Sequence, residues 1–219
     1  MKKITVLLLV ISILTLTSCG LFQNKDTALD VAGICAIAKK AVPTTVITEV
    51  NLRTSAGDSL SGYYTTVTDG KDAIFTYSYQ RFATPEDSVE SGKPERISTF
   101  NGVINYRDGV YYGDEENWRP GTGTAYDLKF NVSTDLFTDA AMAEDGVSFN
   151  AKISKDNLVA MLGTDLNAIG DADVEITTNG KNLTKIEISC LTANGKLTLR
   201  TSYTYNVQDN LFPEVEEAN

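Results

Sequence analysis

Ser59 is the residue whose neighbours best suit it to act as a nucleophile, within Gly57-Asp58-Ser59-Leu60-Ser61-Gly62. A serine hydroxyl attacks an ester only when a base takes its proton, and imidazole is the usual base. The 219 residues contain no histidine. That absence removes Ser-His and Cys-His nucleophiles and histidine-ligated zinc. Ser-x-x-Lys, Gly-x-Ser-x-Gly, Cys-x-x-Cys and P-loop patterns are also missing. Asp114, Glu115 and Glu116 beside Trp118 have the composition of a sugar-cleaving site. They read more simply as a solvated acidic loop. Asp165, Asn167, Asp171 and Asp173 offer oxygen ligands, but Ile169 and Ile176 stand where an EF-hand needs donors. The expectation is a protein without catalytic residues, metal or cofactor.

The block around Ser59 resembles the nucleophile block of the GDSL esterases. The resemblance implies a histidine near the C-terminus, which this chain lacks. Arg53-Thr54-Ser55-Ala56 is also too polar for the buried strand that family places before its serine. A Gly-Asp turn in a hairpin is the expected structure. Aromatic residues are the remaining lead. Tyr63, Tyr64, Tyr77, Tyr79, Tyr106, Tyr111, Tyr112, Trp118 and Tyr126 crowd into one stretch of chain. Tyrosines suit binding surfaces and are also ordinary strand formers.

The N-terminus is distinct. Lys2 and Lys3 precede an apolar run from Ile4 to Leu16, and Leu16-Thr17-Ser18-Cys19 follows. The run is shorter than the roughly 20 residues of a membrane span and has the order of a signal peptide. Leu-Thr-Ser-Cys resembles the lipobox of bacterial lipoproteins. That resemblance implies diacylglyceryl transfer to the Cys19 thiol and cleavage between Ser18 and Cys19. Two or more acyl chains make a stable anchor. With Gly rather than Asp at position 20, the family rule implies the outer membrane in a Gram-negative host. In a Gram-positive host it implies the outer face of the plasma membrane. Residues 1–18 are then leader, 19–25 a lipidated tether reaching at most about 20 Å, 26–205 one domain and 206–219 an acidic tail.

The formal charge is −10, and loss of Lys2 and Lys3 makes it −12. An acidic domain is repelled by nucleic acid and by anionic headgroups, so a nucleic-acid partner is not expected. Cys35 and Cys190 both lie among apolar neighbours. Outside the cytoplasm a disulfide between them is permitted, and two buried free thiols are the alternative.

Residues 26–42 have helical spacing, with Asp26 as a cap and Pro43 as a stop. Alternating strands are expected at 44–53, 60–68, 73–82, 96–100, 102–106 and 110–112, with a break at Ala56-Gly57-Asp58 and a turn at Asp69-Gly70. Polar loops are expected at 84–94 and 113–126. A short helix is expected at 134–143, a strand at 147–153 and a helix at 155–162 between Ser154 and Gly163. Strands at 173–178, 183–191 and 196–205 are joined at Asn179-Gly180 and Asn194-Gly195.

One α+β, mainly β domain satisfies this order: a curved, half-barrel-like antiparallel sheet with an N-terminal helix and short helices on its concave face. The pattern over residues 147–162 and 174–189 is similar to the outer-membrane lipoprotein carrier (LolA-like) superfamily. That resemblance implies a half-barrel with an apolar cavity for acyl chains, and no binding residues carry over. The expected protein is a membrane-anchored extracytoplasmic lipoprotein binding a lipid or other amphiphile. The alternative is an adhesion or scaffold domain presenting a Tyr-rich face to protein or glycan.

Overall fold

The computed structural model describes residues 29–54, 57–82, 96–108, 110–112, 120–121, 130–206 and 211–212. Ser18, Cys19, the tether, Ser55-Ala56, the 84–94 loop, the acidic residues 114–116, Trp118 and Tyr126 lie outside these residues.

The fold is α+β and mainly β: an open, curved antiparallel sheet with two helices. The first meander is β1 (Thr45–Thr54), β2 (Gly57–Thr68), β3 (Ala73–Phe82), β4 (Arg96–Arg107), β5 (Val110–Tyr112) and β6 (Pro120–Gly121). The second is β7 (Phe137–Met142), β8 (Ser148–Ile153), β9 (Ala172–Thr178), β10 (Leu183–Thr192) and β11 (Gly195–Thr204). The spatial order is β6-β5-β4-β3-β2-β1-β11-β10-β9-β8-β7. Pairing of β1 with β11, from Thr45↔Thr204 to Arg53↔Lys196, therefore welds the two meanders into one sheet. Thr48 and Thr201 share a buried hydroxyl hydrogen bond of 2.9 Å at the middle of that seam.

Helix α1 (Val31–Lys40) is capped by Asp30, whose Oδ1 accepts from the Gly33 amide at 2.7 Å. The described helix thus begins at Val31, and Asp26, expected as the cap, lies outside the described residues. Asp30 directly precedes the buried stripe Ile34, Cys35 and Ala38. Lys39 and Lys40 in the last turn face the negative end of the helix dipole. Small side chains at Cys35, Ala38 and Ala41 let α1 lie close on β7–β10. Helix α2 (Lys155–Leu162) has the expected Ser154 cap and a left-handed Gly163 at its end. Its Leu158 and Met161 join the same core.

Three local expectations change. Residues 134–142 are a 3-10 turn followed by β7, not a helix. Only Phe137 of β7 is buried, edge-on to Phe149 at 5.5 Å, whereas a helix needs an apolar stripe. The pieces 96–100 and 102–106 are one strand, with Gly102 inside it. Thr54 pairs with Gly57, so Gly57 and Asp58 belong to β2 and not to a turn.

Two hairpins share one turn. In Thr68-Asp69-Gly70-Lys71-Asp72, Asp69 Oδ1 accepts from the Lys71 and Asp72 amides. Asn179 Oδ1 accepts likewise from Lys181 and Asn182 in Thr178-Asn179-Gly180-Lys181-Asn182. Thr68 and Thr178 accept from the glycine amides, and Gly70 and Gly180 take φ of 96° and 86°.

Candidate binding face

Strand parity places Val46, Thr48, Leu199, Thr201, Ile186, Ile188, Val174, Ile176, Phe149 and Ile153 on one face. Under α1 and α2 this face is a packed core, with Phe149, Ile153 and Ile176 fully buried. The same face continues across β2, β3 and β4 as Leu60, Tyr64, Phe75, Tyr77, Tyr79 and Ile104. There it is half-buried, and Tyr64 and Ile104 are each 36% exposed.

Two glycines shape this aromatic surface. Gly62 pairs with Tyr79, and Gly102 pairs with Tyr77. A Cβ on Gly62 would stand 2.3 Å from Tyr79 Cδ1, and one on Gly102 would stand 2.3 Å from the Tyr77 hydroxyl. Each ring therefore lies down over the bare backbone of its partner glycine. The two rings are 6.1 Å apart and tilted by 34°. Burial raises the Tyr79 hydroxyl above the usual tyrosine range, and the neighbouring Tyr64 and Tyr77 add to the effect. The surface thus carries tyrosine hydroxyls among its rings, that of Tyr77 lying over Gly102.

The opposite face divides at the seam. Over β8–β11 and β1 it carries ion pairs. Lys152 meets Asp173, Lys185 meets Glu175 at 2.8 Å, and Arg200 meets Glu187 at 2.9 Å and Glu49 at 3.8 Å. Over the middle of β2, β3 and β4 its described residues are uncharged, with Ser61, Tyr63, Thr65 and Val67, then Ile74, Thr76, Ser78 and Gln80, then Thr99, Asn101, Val103 and Asn105, and the charged Arg107 stands at the end of β4. The Tyr-rich stretch is therefore split, with Tyr63 facing away from Tyr64, Tyr77 and Tyr79, while Tyr106 is buried.

The other expected residues are dispersed. The disulfide left open between Cys35 and Cys190 is not formed, and both are buried free thiols. Burial, with Asp30 nearby, pushes the Cys35 thiol up to about 11, and burial raises Cys190 as well. Ser59 lies within β2. Asp173 is held by Lys152, and Asp165 accepts from the Asn167 amide in its own loop. Among the described residues no group of three or more Cys, Asp or Glu side chains could hold a metal ion. Among them, too, no helix is long and apolar enough to cross a membrane.

Sequence reading missed the glycine–tyrosine pairing. Its signal is Gly62 and Gly102 inside otherwise alternating strands, where glycine marks a close approach. No family model matches the chain, and no curated protein matches it. Among solved structures it is similar to the hypothetical protein CT021 from Chlamydia trachomatis. The TM-score is 0.33 and the identity 9%, over 83% of this chain and 98% of that one. A likeness of that size carries no functional argument.

Proposed function

We propose that this chain is a lipid-anchored extracytoplasmic binding protein, not an enzyme, and that it takes an apolar or amphiphilic ligand on the open face of β2–β4. One observation carries the reading. The face that is core under the helices continues as the half-buried Tyr77 and Tyr79, with Tyr64 and Ile104 more exposed beside them. Aromatic rings that each carry a hydroxyl match a ligand with an apolar chain and a polar head. The lipobox at Leu16–Cys19 supports the anchored location.

Native mass spectrometry of protein purified without detergent tests the ligand, which should appear as a co-purified lipid lost in Tyr77→Ala. A ligand-free protein that also fails to take up an added fluorescent fatty acid would overturn it. Fractionation tests the anchor. Cys19→Ser should leave the membrane or stay unprocessed, and normal retention of that variant would contradict the anchor. A second reading places a protein or glycan partner on the same inner face. Its support is the exposure of Tyr64 and Ile104, which is that of a patch rather than of a closed cavity. Partner capture abolished by Tyr64→Ala in a lipid-free protein would favour it.

A further inference from the structure

The outer face of β1–β3 holds a groove of about 350 Å³ lined by Glu49, Asn51, Ser61, Tyr63, Ser78 and Gln80. We infer that this groove binds a neutral saccharide. The inference concerns the opposite side of the sheet from the aromatic floor and does not rest on the amphiphile reading.

The register sets these side chains in two cross-strand rows. Asn51, Ser61 and Gln80 form one row, and Glu49, Tyr63 and Ser78 form the other. Strands stand about 4.8 Å apart and same-face neighbours about 6.8 Å apart. The array thus offers polar groups over roughly 10 by 7 Å, the footprint of a disaccharide. Its chemistry is that of hydroxyl recognition. Two amides and two serines supply both donors and acceptors, and one carboxylate supplies acceptors. Ser61 donates to Asn51 Oδ1 at 2.9 Å, which orients the Asn51 amide and leaves its Nδ2 hydrogens outward. Among the described residues, Tyr63, Ser78 and Gln80 have no hydrogen-bond or ionic partner of their own. Tyr63, 47% exposed, supplies a ring for the apolar face of a sugar.

Charge argues for a neutral ligand. Among the described residues that line the groove there is no cation and one carboxylate, Glu49, which lies 3.8 Å from Arg200. An anionic ligand would meet Glu49, and a cationic one would have to compete with Arg200. A protein partner would need an apolar centre, which this lining lacks. The contrast across the seam strengthens the case. Outward charged groups of β8–β11 pair with one another, while Tyr63, Ser78 and Gln80 of β2 and β3 have no such partner among the described residues.

Calorimetry on the full chain, in a detergent without a sugar headgroup, tests the inference. The probes are neutral hexasaccharides of glucose, mannose, galactose, xylose and N-acetylglucosamine, in α and β linkages. At least one should bind, with an affinity unchanged by 1 M NaCl because no charge is involved. Tyr63→Ala and Gln80→Ala should each weaken it by about tenfold or more, the loss of one stacking or hydrogen-bonding contact. Lys152→Ala, on the charged part of the same face, should not. The inference is overturned if no probe binds, if salt abolishes binding, or if Tyr63→Ala retains the parent affinity with an unchanged circular dichroism spectrum.

Discussion

The two halves of this sheet are built by the same rule and finished differently. In β7–β11 one face is sealed under α1 and α2, and the other is stitched by ion pairs. In β2–β4 one face is a half-buried aromatic floor, and the other is a mainly polar rack with few charges. The first half satisfies its own surfaces. The second keeps tyrosine rings partly exposed on one face and polar side chains without partners among the described residues on the other. A single sheet can do this because β1 and β11 join the halves strand to strand, so the sealed half holds the open one in shape.

The largest test compares the halves directly. Phe149 is fully buried and packs on Phe137, so Phe149→Ala should cost about 3–5 kcal/mol in urea unfolding. Phe75→Ala, on the open floor, removes a half-buried ring and should cost about 1 kcal/mol. Equal losses would mean that the two halves are equally sealed. The glycines give the next effect. Gly62→Ala should cost about 2–3 kcal/mol, because the new methyl meets the Ser78 carbonyl at 2.6 Å and the Tyr79 backbone. In Gly102→Ala the three atoms nearest the methyl all belong to the Tyr77 phenol, which can swing away. That variant should keep near-parent stability while its tyrosine fluorescence and ligand uptake change. A double-mutant cycle at the seam comes third. Thr48→Val or Thr201→Val alone orphans a buried hydroxyl and should cost about 1–2 kcal/mol, whereas the double variant should recover most of that loss. Simple additivity would remove the shared hydrogen bond from the account.

Much of the fold was legible because alternation and turn residues act locally. The hairpins of β9–β11 follow from Val174, Ile176, Ile186, Ile188 and Leu199 with Asn-Gly between them. The α2 boundaries follow from Ser154 and Gly163. What failed was set at long range. Residues 137–142 pair with β8 because the sheet edge offers hydrogen bonds and Phe149 offers an edge for Phe137. Nothing within 137–142 announces either. The binding faces were half legible. The tyrosines were visible, but which of them share a face depends on the register of β2 on β3, and the bare glycines acquire meaning only once their partners are known. The free thiols depended on the packing of α1 against β10.

The twin turns carry the smallest and sharpest comparison. Asp69 and Asn179 hold the same two amides, but only Asp69 can gain a proton. The Asp72 and Lys71 amides that it accepts hold its carboxyl below the usual range. The folded turn therefore favours the ionised form. Its contribution is complete above the ordinary carboxylate value near 3.9 and is lost as pH falls through the lower folded value. The β9–β10 turn, capped by a neutral amide, has no such term. Hydrogen-exchange protection of the Lys71 and Asp72 amides should fall between about pH 5 and pH 2, while that of Lys181 and Asn182 stays level. Exchanging the caps should exchange the behaviour. Asp69→Asn should make the open half's turn indifferent to acid, and Asn179→Asp should make the sealed half's turn sensitive. If the sensitivity stays with the β2–β3 hairpin after the exchange, it belongs to the looser packing of that half and not to the carboxylate.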